Sequence, residues 1–332
     1  MFSQGIGSSS LPQGTMKETV IFKKNAKQRI DKFLKEEIFL NMEMTRGEII
    51  RQIKNGSVLV NKMPVKPSYL LKKNDEVEMD ITEGAVVLSP NKNVKFGIIF
   101  QDENMIVVDK PAGLQVHPST KNESNTLVHG LLYKFPEIGN VGDAPETRPG
   151  IVHRLDRGTS GVLIVARNQK TFLSLKQKFK NREMKKKYWA VTYGAPEKSG
   201  IIDAPLARAA NYKKQIVASG KTKTKIRAAV TEFITLEKSE KYALLEVSPR
   251  TGRTHQIRVH LTSIGHPIVG DEKYAQKKFS NEETAPRLFL HALTLEFEHD
   301  GQKYKFASPA PADFQDFLEK NGLWPKGLTK RG

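Results

Sequence analysis

The sequence contains no cysteine, which excludes disulfide bridges and cysteine-bearing zinc sites. Its eight histidines never show the His-Glu-x-x-His spacing of a helical zinc site, and we expect no metal. No apolar run approaches the ~18 residues that a transmembrane helix needs, and the N-terminus lacks the basic-then-apolar layout of a signal peptide. These absences predict a cytoplasmic protein that does not associate with a membrane.

Acidic residues are scarce relative to basic ones. The 332 residues include 54 lysines and arginines against 36 acidic residues, a formal net charge of +18. The excess is concentrated in two windows, residues 167–188 and 212–229, and the second window contains no acidic residue. Clustered basic charge favours a polyphosphate partner, while a generally basic surface is the alternative interpretation.

Chain length and composition predict two domains and two tails. Residues 1–16 are rich in Gly, Ser and Gln without periodicity, so we expect a disordered tail. A small domain is expected over residues 27–82 and a polar connector over residues 83–95. A larger domain should follow over residues 96–318, with a basic C-terminal tail over residues 319–332.

The small domain combines helical and strand patterns. Helical spacing predicts a first helix with four residues on its buried face: Ile30, Phe33, Leu34 and Ile38. Thr45-Arg-Gly-Glu48 is a capping-box pattern that begins a second helix, and Asn55-Gly56 ends it. Residues 58–60 and 75–80 alternate as short strands.

These segments resemble the S4 RNA-binding domain. Arg29-Ile-Asp-Lys-Phe-Leu34, Thr45-Arg46 and Asn55-Gly-Ser-Val-Leu-Val-Asn61 match its helices and hairpin. The resemblance implies a phosphate-contacting face formed by Lys27, Arg29, Arg46, Arg51 and Lys54. The alternative is that these residues are only the polar sides of amphipathic helices.

The larger domain contains the stretch Gly150-Ile-Val-His-Arg-Leu-Asp-Arg-Gly-Thr-Ser-Gly161. Asp156 lies between Arg154 and Arg157, in a segment whose glycines allow a tight turn. The apolar residues 162–166 predict a buried strand that would hold the turn rigidly. A lone aspartate in a loop usually caps a turn or pairs with an arginine, and that interpretation is open for Asp156 on composition alone.

The motif His153-Arg-Leu-Asp-x-x-Thr-Ser-Gly161 resembles that of the RluA-type pseudouridine synthases. Lys110-Pro-Ala-Gly-Leu114 and Gly252-Arg-Thr-His-Gln-Ile-Arg258 also match, and the resemblance extends over about residues 96–318. It implies a catalytic set of Asp156, Tyr188 and Arg258. RNA contacts are expected from Arg154, as a wedge that fills the space of a flipped base, and from Arg253 and His255, as phosphate contacts. A structural pairing role is the alternative for Arg154.

The sequence predicts two further helices after the Asp156 loop. The first is expected around residues 169–180, with Phe172, Leu175 and Phe179 facing the core. A glycine-led helix is expected over residues 251–260. Its spacing directs Ile257, Leu261 and Ile264 inward, and it groups His255, Arg258 and Thr262 on another face.

The resemblance implies an α+β fold, with a mixed, largely antiparallel sheet flanked by helices and a small α/β S4 domain. An S4 domain followed by a catalytic domain resembles the family members that modify large-subunit ribosomal RNA. The expected partner is therefore ribosomal RNA or a ribosomal assembly intermediate, and we expect the chain to act as a monomer.

Conversion of uridine to pseudouridine breaks the N1–C1′ bond, turns the uracil and joins C5 to C1′, so no cofactor is expected. An ionised Asp156 is suited to act as nucleophile or base, with Arg258 as the ion-pair partner that stabilises its charge. Tyr188 offers a ring for stacking and a hydroxyl for C5 deprotonation. Attack on C1′, attack on the base and elimination through a glycal all stay open.

Two other functions compete with this hypothesis. A non-catalytic RNA-binding or ribosome-assembly protein on the same fold would not need the Asp156, Tyr188 and Arg258 set, which is intact. A glycosidase-type hydrolase needs a second carboxylate opposite Asp156, and neither Asp203 nor Asp271 lies in a comparable motif.

Overall fold

The computed structural model describes residues 15–38, 46–82, 88–118, 123–209, 214–274, 279 and 285–327. The chain forms two compact units, which divide between Val87 and Leu88. Within those described ranges, no helix is long and apolar enough to span a membrane.

The first unit packs short helices against an antiparallel sheet. Its strands are β1 (Thr15–Ile21), β2 (Gln28–Arg29), β3 (Val58–Val60), β4 (Met63–Pro64), β5 (Leu70–Leu71) and β6 (Glu76–Thr82). The helices are α1 (Ile30–Phe33), which continues as a π-helical turn over Leu34–Ile38, and α2 (Arg46–Lys54). The sheet has the order β1-β6-β3-β4, and β2 pairs with β5. The predicted helical face is confirmed, because Ile30, Phe33 and Leu34 are buried together with Ile49 and Ile53 of α2.

Strand β1 corrects the predicted start of this domain. The sequence predicts a tail over residues 1–16 and a domain from residue 27, but β1 pairs with β6 along its whole length, from Thr15 opposite Thr82 to Ile21 opposite Glu76. The polar sequence of β1 has no clear alternation, so only the pairing with a distant strand reveals it. Residues 1–14 and the predicted capping residue Thr45 lie outside the described residues.

The second unit contains the larger sheet. The strands of this unit are β7 (Gly97–Gln101), β8 (Met105–Lys110), β9 (Ser160–Ala166), β10 (Lys185–Tyr193), β11 (Ser199–Asp203), β12 (Leu206–Arg208), β13 (Gln215–Val217), β14 (Val230–Lys238), β15 (Tyr242–Pro249), β16 (Leu290–His299) and β17 (Gln302–Ala307). Strands β12 and β13 pair with each other in a separate two-stranded sheet. The helices of this unit are α3 (Leu127–Lys134), a 3-10 helix (Pro136–Asn140), α4 (Gln169–Asn181), α5 (Gln256–Ser263) and α6 (Ala312–Lys320).

The predicted mixed, largely antiparallel sheet is confirmed. The strand order is β11-β14-β15-β10-β16-β9-β8-β7, with β17 beside β16. Strands β16 and β9 are parallel, and the other neighbours in this sheet are antiparallel. The sheet therefore places β9, which follows the Asp156 loop, beside β16 and one strand away from β10.

Strand β9 is buried on both faces, as its apolar sequence predicts. Because side chains alternate along a strand, Val162 and Ile164 pack with Phe172 and Leu175 of α4. Leu163 and Val165 pack on the other face with residues of α3, namely Leu127 and Leu131. The loop before β9 is thus anchored to a strand that cannot shift without disturbing two cores.

Helix α5 begins later than the sequence predicts. It starts at Gln256, and the side-chain oxygen of Gln256 accepts hydrogen bonds from the Thr251 hydroxyl (2.6 Å) and the Arg253 amide (3.0 Å). Those bonds hold residues 251–255 in a loop instead of a helical turn. Ile257 and Leu261 are buried as predicted, but Ile264 is 39% exposed because it lies beyond the last helical residue.

The predicted ends of the larger domain also shift. Residues 88–95 belong to the second unit, where Val94 is buried, so they are not a free connector. At the other end, α6 runs to Lys320 and Leu323 is fully buried beside Phe314, so part of the predicted tail completes the core.

Gly270 and Gly301 provide a matched test of close backbone packing. Both have positive φ, 76° and 75°. A Cβ at Gly270 would lie 1.8 Å from the carbonyl oxygen of Arg287, whereas a Cβ at Gly301 would meet nothing within 4 Å.

We expect Gly301→Ala to cost only left-handed strain, about 1–2 kcal/mol of unfolding free energy. Gly270→Ala should cost more than about 3 kcal/mol, because a backbone clash is added to that strain. Thermal and denaturant unfolding of the two variants measures the difference. Equal losses would contradict the close approach at Gly270.

Candidate active site

The loop before β9 carries Asp156, and His153 fixes one end of this loop. His153 accepts a hydrogen bond at Nε2 from the Ile164 amide (3.0 Å) and stacks on Phe179, with ring centroids 4.5 Å apart. Burial lowers the pKa of His153 to about 3, so the ring stays neutral and keeps its acceptor nitrogen. His153 therefore ties the loop to β9 and α4.

Lys110 supports the same loop from within the protein. Its side chain is fully buried, and its amine donates to the carbonyls of Pro111 (2.8 Å), Leu114 (2.8 Å) and Arg157 (3.3 Å). Burial lowers the pKa of Lys110 to about 7. The amide of Gly113 adds a hydrogen bond to the Arg157 carbonyl at 2.8 Å. This bracing role of Lys110 is not predictable from the sequence pattern, although Lys110 begins the Lys-Pro-Ala-Gly-Leu motif.

Arg258 bridges two carboxylates. Its Nη1 donates to Asp156 Oδ2 at 3.0 Å, while Nε and Nη2 donate to Asp271 Oδ2 at 2.7 Å and Oδ1 at 2.8 Å. The side chain of Asp156 is 15% exposed, and that of Asp271 is 0% exposed. Burial alone would lower the pKa of Arg258, but its hydrogen bonds to Asp271 and the charges of both carboxylates raise it above the ordinary value. Arg258 is therefore a permanent cation oriented toward Asp156.

Asp271 is the important residue that the sequence analysis missed. It follows Gly270, whose positive φ turns the chain, and its Oδ1 also accepts from the amides of Lys273 (3.1 Å) and Tyr274 (3.0 Å). Both oxygens are engaged and buried, so Asp271 orients the guanidinium and is not a second catalytic carboxylate. The segment Gly270-Asp-Glu-Lys-Tyr274, in which a glycine precedes the aspartate, was the available signal in the sequence.

His255 lies beside the catalytic candidate in a strained conformation. Its φ is 57°, and its Nε2 lies 3.9 Å from Asp156 Oδ1. Its Nδ1 is 2.8 Å from the Tyr274 hydroxyl, whose oxygen accepts from the Gln215 amide at 3.0 Å. Tyr274 therefore holds the Nδ1 edge of His255, and the Nε2 edge of the ring faces Asp156.

Burial lowers the pKa of His255 more than the charge of Asp156 raises it. Its side chain is only 16% exposed. This environment favours a role for His255 beside the Asp156 carboxylate. It does not favour the phosphate contact that the sequence predicts for His255.

Tyr188 reaches the site from β10. A register shift between Lys187 and Tyr188 interrupts the pairing of β10 with β16 at this position. Burial, and then the charge of Asp156, raises the pKa of Tyr188 above its ordinary value. The hydroxyl therefore stays protonated, which favours stacking by the ring over deprotonation of a substrate by a phenolate.

Arg154 and Arg253 differ in the hydrogen bonds that their side chains make to the protein. Arg154 is exposed, and within the described part of the chain its side chain makes no hydrogen bond or ion pair. Arg253 donates from Nε to the Ala228 carbonyl at 3.1 Å and is partly exposed. Arg154 is therefore available to a ligand, while Arg253 is partly fixed by the protein.

One cavity collects the predicted residues of the larger domain. Its volume is about 470 Å³, within the ~300–1,000 Å³ typical of ligand pockets, and its lining includes Arg154, Asp156, Tyr188, Arg253, His255 and Arg258. Among the described lining residues Asp156 is the single carboxylate, against seven lysines and arginines: Arg154, Lys180, Arg182, Lys186, Arg250, Arg253 and Arg258. A second cavity of about 580 Å³ shares Arg154, Asp156, His255 and Arg258.

The basic residues predicted in the first unit are placed less completely. Lys27, Arg51 and Lys54 are exposed. Arg29 is also exposed, but it forms an ion pair with buried Asp31 at 3.0 Å. The side chain of Arg46 lies outside the described residues.

Comparisons with known proteins agree with this geometry. Residues 104–263 match the family model described as RNA pseudouridylate synthase, and residues 28–77 match that of the S4 domain. The chain is 34% identical to an uncharacterized RNA pseudouridine synthase of Bacillus subtilis, over 89% of this chain and 95% of the relative.

Two further similarities extend the comparison. Ribosomal large subunit pseudouridine synthase D of Pseudomonas aeruginosa is 33% identical, over 86% of this chain and 90% of that protein. The solved structure of human RNA Pseudouridylate Synthase Domain Containing 4 covers 69% of this chain and 94% of its own, with a TM-score of 0.56 and 28% identity. The chain therefore belongs to the RNA pseudouridine synthase family, as an enzyme with an N-terminal S4 domain.

Proposed function

We propose that this enzyme isomerises uridine in large-subunit ribosomal RNA, with Asp156 as the catalytic residue and the target base flipped into the 470 Å³ cavity. The observation that carries the proposal is the Asp156 carboxylate, which faces this cavity while Arg258 holds it at 3.0 Å. Asp271 is proposed to orient Arg258, and Lys110 is proposed to hold the Asp156 loop. Neither residue is proposed to contact the substrate.

The reaction conserves every atom of the nucleoside. The N1–C1′ bond breaks, C5 joins C1′, and the proton that leaves C5 is balanced by the proton that N1 gains. The sugar carbon is electrophilic in this process, so an ionised carboxylate serves either as its nucleophile or as the base that starts elimination. The hydrogen bond from Arg258 Nη1 keeps Oδ2 of Asp156 oriented, which leaves Oδ1 free to react.

Tyr188 is proposed as the platform for uracil. A partly buried, protonated tyrosine provides a flat apolar face, and its raised pKa disfavours a role as phenolate base. Flipping a base out of its stack costs a few kcal/mol, and a side chain that fills the space left behind lowers this cost. Arg154 is proposed for that role because it is exposed and lines the cavity beside Asp156.

The substrate class rests on the S4 domain and on the relatives. The name of the Pseudomonas aeruginosa relative specifies the ribosomal large subunit, and an S4 domain precedes the catalytic unit here. Exposed Lys27, Arg51 and Lys54 are proposed to contact RNA phosphates, with Arg29 and Arg46 as further members of that face. We place the enzyme in the cytoplasm as a monomer acting on ribosomal RNA or an assembly intermediate.

The competing functions receive less support. A non-catalytic RNA-binding protein would not need an arginine locked between two carboxylates, and family membership favours the enzyme. A hydrolase with paired carboxylates needs a second acid that reaches substrate, but Asp271 is fully buried with both oxygens bonded.

Asp156→Asn should abolish pseudouridine formation, because the amide is neither a nucleophile nor a base, while RNA affinity stays close to wild type. The measurement is tritium release from C5-labelled RNA under single-turnover conditions. The exposed Asp203→Asn variant is the control and should keep full activity. Substantial turnover by Asp156→Asn would contradict the assignment.

Arg258→Lys should lower the single-turnover rate by about 10- to 1,000-fold, because an ammonium lacks the planar fork that serves both carboxylates. Asp271→Asn should also lower the rate, because it leaves Arg258 without its second charged partner. RNA affinity and the unfolding temperature are measured in parallel. A rate close to wild type in both variants would show that the orientation of Arg258 is not needed.

Replacing Lys27, Arg51 and Lys54 together by glutamine should weaken binding to large-subunit RNA fragments without changing the rate at saturating RNA. The slope of log affinity against log salt should become shallower by about 0.7–0.9 per lost phosphate contact. Replacement of Lys62, Lys66 and Lys73, which are exposed in the same unit, is the control. An equal loss in the control would indicate a general effect of charge.

A further inference from the structure

The seven cations that line the active-site cavity fall into two groups. Three are held by the protein: Arg258 pairs with Asp156 and Asp271, Arg250 pairs with Glu232, and Arg253 donates to the Ala228 carbonyl. Within the described residues, by contrast, the side chains of the other four make no hydrogen bond or ion pair: Arg154, Lys180, Arg182 and Lys186. This second group of cations is available to a negatively charged ligand.

Within this group, Lys186 is the residue nearest in sequence to Tyr188, the proposed platform for uracil. It precedes Tyr188 by two residues on β10, and alternate residues of a strand share a face. Two residues of strand rise separate them by about 6–7 Å. Both side chains line the cavity. Gly252 lies opposite, where a Cβ would be 3.8 Å from Lys186 Nζ, so no side chain at that position covers the amine.

The neighbouring Lys187 has the opposite orientation. Its Nζ forms an ion pair with Glu246 at 2.7 Å, and the cavity lining does not include it. The two adjacent lysines of one strand thus have different partners. Lys187 is satisfied by the protein, while Lys186 is partly buried without an acceptor among the described residues.

An unpaired ammonium in a partly buried site is unfavourable for the free protein. Burial lowers the pKa of Lys186 to about 8, which reflects the loss of water without a compensating anion. A ligand that brings a negative charge would remove this penalty on binding. The uracil ring is neutral, and the anionic part of a flipped nucleotide is the phosphate on either side of its ribose.

We propose that Lys186 binds a backbone phosphate that flanks the flipped uridine, and that this contact positions the ribose beside Asp156. The inference rests on the proposed function. Two neighbouring positions on one face of β10 would then contact two parts of the same nucleotide. Tyr188 would lie under the base, and Lys186 would bind the phosphate. Arg182, at the left-handed end of α4 with φ of 64°, extends the same basic edge of the cavity.

The test uses the shortest RNA in which wild-type enzyme forms pseudouridine, made with a neutral methylphosphonate either 5′ or 3′ of the target uridine. Lys186→Gln should lower the single-turnover rate or affinity by about 10- to 100-fold, as expected for a misplaced reacting group. One of the two methylphosphonates should cause a similar loss in wild type and no further loss in Lys186→Gln. Lys186→Arg should recover most activity, and Lys187→Gln should resemble wild type.

The possible outcomes separate the inference from the proposed function. Additive losses from the substitution and either methylphosphonate would overturn the phosphate contact, as would equal losses in Lys186→Gln and Lys187→Gln. A rate loss in Lys186→Gln that changes the pH profile but is independent of both methylphosphonates would also overturn it, since the amine would then handle a proton. If wild type forms no pseudouridine in large-subunit RNA, the proposed function itself fails.

Discussion

The guanidinium of Arg258 is shared between a carboxylate that lines the cavity and one that is buried behind it, and the geometry of the candidate site depends on this division. Asp271 takes two of its N–H groups and is fully buried, which leaves Nη1 for Asp156. Because the guanidinium is planar and rigid, fixing one edge on Asp271 sets the direction of the other. Asp156 is therefore held as an oriented anion with one oxygen still open toward the cavity.

This arrangement requires elements that are far apart in the chain to meet accurately. Asp156 and Arg258 are 102 residues apart, and the loop of Asp271 follows Gly270, where a side chain would collide with the Arg287 backbone. Strand β9 is buried on both faces, and His153 and Lys110 hold the loop before it. The sheet and these braces provide the rigidity that a catalytic group needs, since small displacements cost large factors in rate.

Charge is distributed to match an RNA substrate. The carboxylates of the site are committed to Arg258, while several cations along the cavity have no partner among the described residues. A polyanion is attracted to such a surface and can neutralise these cations, so acidic residues of the protein are not required for that purpose. The first of the two basic windows of the sequence, residues 167–188, supplies part of this surface. Lys180, Arg182 and Lys186 of that window line the cavity.

The sequence alone determined the features that local patterns encode. The buried strand β9, the apolar faces of the helices, the S4 and synthase motifs, and the cavity residues Asp156, Tyr188 and Arg258 were predictable from periodicity and motif resemblance. Tertiary structure decided Asp271 as the second partner of Arg258, the bracing role of Lys110, the pairing of β1 with β6 and the late start of α5. These features arise from hydrogen bonds between distant segments, and spacing along the chain carries no record of which buried donor meets which acceptor.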